Sequence, residues 1–165
     1  MSFSALRLEF EELLIHEAWL LDNDRLEDWL DLLGEDLSYR APVRANIGRG
    51  QEGLDNPKLL AHFEESKFTL GLRVKRLRTG MAHAEEPPSR IRHFVSNVRI
   101  LNEDHPDRVQ ITSNEMIFRS REGQDEHLFV AERRDWWRRE DGRWRCVERL
   151  ILLEHDLVEN ITVFF

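Results

Sequence analysis

The sequence predicts an α+β fold in which N-terminal helices pack on a strongly curved antiparallel sheet. Apolar residues recur at helical spacing in the first half of the chain, whereas long strand-like segments fill the second half. Short polar turns join those segments, and connections of that length link antiparallel neighbours. A curved meander with helices at one end would enclose a cone-shaped core. The length of 165 residues suits one domain, spanning residues 1–165.

Two helices and a strand are expected near the N-terminus. An apolar stripe over residues 6–21 predicts the first helix, which the polar residues 22–24 interrupt. A second, shorter helix should follow over residues 26–33, with Gly34 as its C-terminal stop. Residues 37–43 predict a short strand, and the proline near its end favours a position at a sheet edge.

The middle of the chain alternates between glycine-rich and helical patterns. Residues 48–56 are polar, carry three glycines and predict a loop or a hairpin tip. A proline-initiated helix is expected over residues 57–63, and a longer helix over residues 67–78 with Gly80 as its stop. Residues 81–89 contain two adjacent prolines, which exclude regular structure there.

The second half of the chain predicts four strands joined by three short turns. The strands should cover residues 90–101, 108–120, 127–139 and 143–153. The turns should cover residues 102–107, 121–126 and 140–142.

Composition and charge exclude several classes of protein. The single cysteine, Cys146, excludes an internal disulfide, a four-cysteine zinc site and an iron–sulfur cluster held by this chain alone. The formal net charge of −8 argues against a nucleic-acid partner, since such binders need a basic face. The sequence has no apolar run long enough to span a membrane and no signal-peptide pattern, so a cytoplasmic protein is expected.

Residues 77–90 and 92–98 form the most distinctive stretch of the sequence, LRTGMAHAEEPPSR followed by RHFVSNV. This stretch resembles the signature of the β subunits of aromatic ring-hydroxylating dioxygenases of the 3-phenylpropionate and biphenyl type. The similarity extends to residues 16–22, to Trp29-Leu30, to Tyr39 and to the apolar residues 161–165, while residues 48–57 depart from the pattern.

The resemblance implies a cone-shaped, NTF2-like/SnoaL-like α+β fold and a small subunit without a metal or a cofactor of its own. It implies assembly with a large α subunit in an α3β3 complex, in which the β subunits form a trimer. In such enzymes the α subunit carries a Rieske [2Fe–2S] cluster and a mononuclear iron, and it adds both atoms of O₂ to an aromatic ring. The β subunit is mainly structural and influences substrate preference in some members.

The residues agree that iron must come from another chain. A Rieske centre takes two cysteine and two histidine ligands, and this chain has one cysteine. A mononuclear Fe(II) site needs two histidines and a carboxylate, but no two of the seven histidines share a helix face.

His93 is the residue most suggestive of chemistry in this chain. In a strand its side chain shares an otherwise apolar face with Asn97. Related cone-shaped dehydratases use an interior histidine as a base together with a tyrosine and an aspartate, which Tyr39 with Asp31 or Asp36 would supply here. The alternative function is therefore a free-standing dehydratase or isomerase, or a small-molecule binding protein, with a cavity near His93 and Tyr39. The simpler interpretation is a structural histidine that hydrogen-bonds its neighbours.

Trp136 and Trp137 predict a covered sheet face, because neighbouring strand residues point to opposite sides of a sheet. A partner subunit or the chain's own helices must shield whichever indole lies outside the core. The terminal Val163, Phe164 and Phe165 raise the same choice between a partner and the chain's own core. The five residues are therefore the predicted subunit interface.

Overall fold

The computed structural model describes residues 3–43, 60–79, 88–121, 125–155 and 161–165. Three helices and six strands lie in this part of the chain, and they confirm the α+β class. In chain order they are α1 (Phe3–Asp22), α2 (Leu26–Leu30), β1 (Leu33–Pro42), β2 (Ala61–Glu65), α3 (Lys67–Arg78), β3 (Arg90–His105), β4 (Arg108–Arg121), β5 (Asp125–Glu140) and β6 (Arg143–Leu153). No helix in the described ranges is both long enough and apolar enough to cross a membrane.

The six strands form one sheet in the order β2-β1-β6-β5-β4-β3. The meander from β3 to β6 is antiparallel, as the short turns predict. However, β1 pairs with β6 in parallel, so the sheet is mixed and the fully antiparallel prediction is wrong at this point. The two strands lie far apart in the sequence, and no hairpin turn constrains their relative direction.

Three local predictions from the first half are wrong. The strand that carries Pro42 is not at a sheet edge, because β1 lies between β2 and β6. Residues 61–63 belong to β2 rather than to a helix, and Phe63 pairs with Ala41 of β1. Gly34 lies inside β1 instead of stopping a helix, because α2 already ends at Leu30. A glycine is needed at position 34 for a different reason. A Cβ there would lie 2.9 Å from Val147 Cγ1 on β6, so the close approach of the two strands requires the small residue.

The helix over 67–78 and the last turn agree with the sequence. Ser66 caps α3 by accepting a hydrogen bond from the Thr69 main-chain N–H, and the Thr69 hydroxyl accepts one from the Ser66 N–H. In the turn between β5 and β6, Asp141 and Gly142 both have positive φ, as two-residue hairpin turns require. Residues 48–57, Gly80 and most of the irregular tract 81–89 lie outside the described ranges.

Helix α1 covers the concave face of the sheet and packs chiefly against β3. The predicted apolar stripe is the buried face of α1, with Phe10 and Leu14 fully shielded from solvent. Phe10 contacts the rings of Trp137 and Trp144 in the sheet. The apolar core closes around a polar centre, where the candidate site lies.

Candidate functional site

Five charged side chains lie at the centre of the core, each no more than 2% exposed. They come from four elements, and alternation along each strand turns the side chains inward. The five are Glu17 on α1, Glu115 on β4, Arg133 and Asp135 on β5, and Arg149 on β6.

The two arginines link the three carboxylates into one network. Arg149 donates to Glu17 Oε1 at 2.7 Å and to Asp135 Oδ2 at 3.0 Å. Arg133 donates to Glu17 Oε2 at 2.8 Å, to Asp135 Oδ2 at 2.7 Å and to Glu115 Oε1 at 3.2 Å. Such a network supports a fixed core rather than proton transfer, because every carboxylate faces a permanent cation.

Glu17 is the hub of this network. Burial raises the pKa of its carboxyl, but the charges and hydrogen bonds of Arg149 and Arg133 outweigh burial and lower that pKa to about 2. The indole N–H of Trp29 also donates to Glu17 Oε1, at 3.1 Å. Glu17 is therefore ionised at neutral pH and is held in place from three sides.

The C-terminal residues 161–165 lie against this polar centre. Arg149 donates to the main-chain oxygen of Phe165 at 2.6 Å. Tyr39, which stands beside Arg149 in the β1–β6 register, accepts from the Phe165 N–H at 2.7 Å. Its hydroxyl also donates to the Phe165 oxygen at 3.2 Å, and burial raises the pKa of this phenol above its usual value.

Aromatic packing holds the same residues in the core. Phe164 stacks at a tilt on Trp29 with 4.8 Å between ring centroids, and the Arg73 guanidinium lies 4.4 Å from the Phe164 centroid. Phe165 is fully buried and contacts the rings of Phe63 and Phe129. The interior of the cone near Tyr39 is thus filled by the chain's own C-terminal residues.

His93 is a buried histidine with both ring nitrogens in contact with acceptors. Its Nδ1 lies 2.6 Å from Asp22 Oδ1, which also accepts from the His93 main-chain N–H, and its Nε2 lies 2.9 Å from the Phe164 oxygen. Burial lowers the pKa of the imidazole, but the hydrogen bond to Asp22, the charge of Glu115 and the Phe164 oxygen raise it above the usual value. A protonated ring donates at both nitrogens and fits this arrangement.

The predicted catalytic group does not come together. His93 and Tyr39 both point inward, but each binds a main-chain group of the C-terminal residues. Asp31 is exposed, and Asp36 pairs with Arg138 on the surface, so neither aspartate reaches them. The aspartate that faces His93 is Asp22, which the sequence indicated only as a helix interruption.

The two tryptophans lie on opposite faces of the sheet, as their adjacency requires. Trp137 is fully buried in the core, where Phe10 of α1 packs against it. Trp136 is half-buried on the outer face, with the Arg108 guanidinium 4.5 Å from its ring centroid. The cover for Trp137 comes from the chain itself rather than from a partner.

The terminal apolar residues are also covered by their own chain, since Val163, Phe164 and Phe165 are buried without any second subunit. The polar centre was not predicted from the sequence. Two features of the sequence indicate it: Glu17 lies on the apolar face of α1, and Arg133 and Asp135 share the inward face of their strand.

No cluster of three or more histidine, cysteine or carboxylate side chains within the described ranges has the geometry to hold a metal ion. Cys146 is buried, and burial raises the pKa of its thiol well above the usual value, which disfavours the thiolate form that ligates metals. The described residues therefore do not fit a metal centre.

A family model described as the ring hydroxylating beta subunit matches residues 16–160. The chain belongs to this family. The β subunit is also 39% identical to the β subunit of 3-phenylpropionate/cinnamic acid dioxygenase from Photorhabdus laumondii, over 97% of this chain and 92% of the relative. The match confirms the resemblance carried by residues 77–98.

Solved structures agree with the family. A naphthalene 1,2-dioxygenase structure with indole bound covers 100% of this β subunit and 88% of that chain, with a TM-score of 0.87 and 26% identity. The β subunit of an aromatic-ring-hydroxylating dioxygenase from Novosphingobium aromaticivorans has a TM-score of 0.77 at 20% identity, covering 97% and 96% of the two chains. The chain is therefore a component of an aromatic ring-hydroxylating dioxygenase, and the free-standing dehydratase is not favoured.

Proposed function

We propose that this β subunit is the non-catalytic, mainly structural component of its dioxygenase and acts in the cytoplasm. The proposal rests chiefly on the contacts of His93 and Tyr39. The side chains of both residues hydrogen-bond the main chain of residues 164 and 165, which leaves no space beside them for a substrate. The α subunit would supply a Rieske [2Fe–2S] cluster, a mononuclear iron and the substrate pocket. In an α3β3 assembly, the β trimer would hold the α subunits so that the cluster of one lies near the iron of the next.

The outer face of the sheet is the proposed self-association surface. Phe94 pairs with Met116, and Phe118 pairs with Leu128, so the four side chains form one patch across β3, β4 and β5. Each of them is at least 38% exposed, which is unusual for a contiguous apolar group on a sheet. Trp136 lies on the same outer face of β5, which keeps it as an interface residue in this proposal.

A second copy of the chain is the proposed occupant of this patch. Arg92, which pairs with Phe118, and Glu126, near the start of β5, are both exposed beside the patch. These opposite charges at the border favour contact with a second copy of the same surface, because the basic residue of each copy can pair with the acidic residue of the other.

Helix α1 carries the proposed contact with the α subunit. Leu8, Ile15 and Trp19 are 55%, 57% and 50% exposed and lie on one stripe of the helix, away from its buried face. The exposed Glu12 lies within the stripe, so a matching surface needs apolar side chains around a basic residue. A second copy fits this stripe poorly, since it would bring its own Glu12 towards the first.

Co-expression with a Rieske α subunit tests the proposal. We expect a mixed complex of three chains of each kind by light scattering, with all iron in the α chain. Phe118→Asp should reduce the mass by removing contact between β subunits, and Trp19→Ala should weaken binding of α. Phe68→Ala is the matched control, because Phe68 is 74% exposed on α3 and outside both surfaces.

A folded β subunit that never binds α would overturn the proposal as a whole. An unchanged mass for Phe118→Asp, with the native amount of α bound, would instead remove only the sheet face from it.

A further inference from the structure

We infer that residues 161–165 act as an intramolecular ligand, and that the site beneath them accepts a 3-phenylpropanoyl compound when they are displaced. The inference goes beyond the structural role proposed above and does not depend on the α subunit. It rests on how this chain holds Phe165, whose ring, Cβ, Cα and main-chain carbonyl group together have the skeleton of a 3-phenylpropanoyl group.

The oxygen end of the site is built from buried polar side chains. Arg149 is fully buried and donates to the Phe165 oxygen at 2.6 Å, while Tyr39, 1% exposed, donates to the same oxygen at 3.2 Å. A guanidinium and a phenol hydroxyl that converge on one oxygen form a strong acceptor site. The network with Glu17 and Asp135 fixes the guanidinium in this position.

The ring end of the site is an aromatic pocket. The Phe165 ring lies 6.3 Å from Phe63 in a stacked arrangement and 6.1 Å from Phe129 in an edge contact. Tyr39 stacks on Phe63 at 5.6 Å and so joins the two ends of the site. Flat walls of this kind select an aromatic ring over an aliphatic group of similar size.

Side chains rather than a strand ladder hold residues 161–165. Among the described residues, the contacts to their main chain come from Arg73 at Thr162, from His93 at Phe164, and from Tyr39 and Arg149 at Phe165. Residues 161–165 form no strand or helix. A segment held in this way is released by loss of its anchors without unfolding of the sheet.

Deletion of Phe165 tests the inference, because it removes both the ring and the main-chain oxygen that occupy the two ends of the site. We expect 10 mM 3-phenylpropanamide or 3-phenylpropionate to raise the melting temperature of this variant by roughly 2–4 °C, as binding near a millimolar Kd would. The native chain should show no rise, because Phe165 occupies the site. Propanamide and propylbenzene test the two ends of the site one at a time. Propanamide has only the group that would bind at the oxygen end, and propylbenzene has only the ring.

A rise with propylbenzene equal to that with the amide would overturn the inference by reducing the site to an apolar cavity. An equal rise in the native chain would also overturn it, because the probes would then bind elsewhere. In the chain that lacks Phe165, Tyr39→Phe keeps the ring of residue 39 and removes its hydroxyl, so the rise should fall by at least half. An unchanged rise contradicts the assignment of the oxygen end. If the chain without Phe165 does not fold alone, recovery of its circular dichroism by each probe at 10 mM carries the same comparison, and no recovery with any probe overturns the inference.

Discussion

Replacement of Glu17 by glutamine should lower the free energy of unfolding by about 3–5 kcal/mol, the range for breaking a buried ion pair. The amide keeps the shape of the side chain but leaves Arg133 and Arg149, both no more than 1% exposed, with two carboxylates instead of three. Urea unfolding monitored by tryptophan fluorescence measures the difference. Glu11→Gln is the control: Glu11 lies on the same helix and pairs with Arg7 at the surface, where such pairs contribute at most about 1 kcal/mol.

The pH dependence of stability provides a second measurement on Glu17. The folded-state pKa of about 2 lies below the ordinary value of 4.5, so this carboxylate stabilises the fold fully above pH 4.5. Its contribution is lost as the pH falls from 4.5 towards 2. Stability should therefore fall more steeply over this range in the native chain than in Glu17→Gln, and parallel curves would contradict the hub role of Glu17.

Trp137→Ala should cost about 3–5 kcal/mol of unfolding free energy, as large-to-small substitutions of buried aromatic residues do. Trp137 is fully buried against Phe10, and the neighbouring strands leave little room for the core to collapse. Trp136→Ala is a matched control one residue away, and we expect it to cost about 1 kcal/mol or less in the isolated chain. Comparable losses in both variants would contradict the assignment of the two indoles to opposite faces.

The same pair separates folding from assembly. Trp136→Ala should lower the mass of the mixed complex, whereas Trp137→Ala should lower the free energy of unfolding of the isolated β subunit. A Trp137→Ala chain of native stability that fails to assemble would instead support the prediction that Trp137 belongs to a subunit interface.

Much of the fold follows from periodicity in the sequence. The stripe containing Phe10 and Leu14 predicts α1 and its buried face, and short turns predict the meander from β3 to β6. Local sequence patterns do not predict the parallel pairing of β1 with β6, because the two strands lie about a hundred residues apart in the sequence. Gly34 is a clear case: its neighbour is Val147, and nothing in the surrounding sequence indicates that contact.

The candidate site was predictable only in part. Alternation along the strand correctly predicts that the His93 side chain points inward, but its partner Asp22 lies at the end of a helix 71 residues earlier in the chain. Likewise, the apolar character of Phe165 predicted that it would be covered, without indicating that Tyr39 and Arg149 bind its main chain. Long-range polar contacts of this kind depend on the completed topology, so family resemblance contributed more to the function than any single residue did.

The most direct test of a structural β subunit is the turnover of the mixed complex per assembled particle. Tyr39→Phe and His93→Asn should be incorporated with α, and each assembled complex should be assayed on an aromatic substrate with its electron donors. We expect turnover per complex to equal that of the native enzyme, with any loss confined to the yield of complex. A normally assembled complex whose turnover falls by roughly 10²–10⁴-fold, the effect of losing a general acid or base, would contradict the account and assign chemistry to the β subunit.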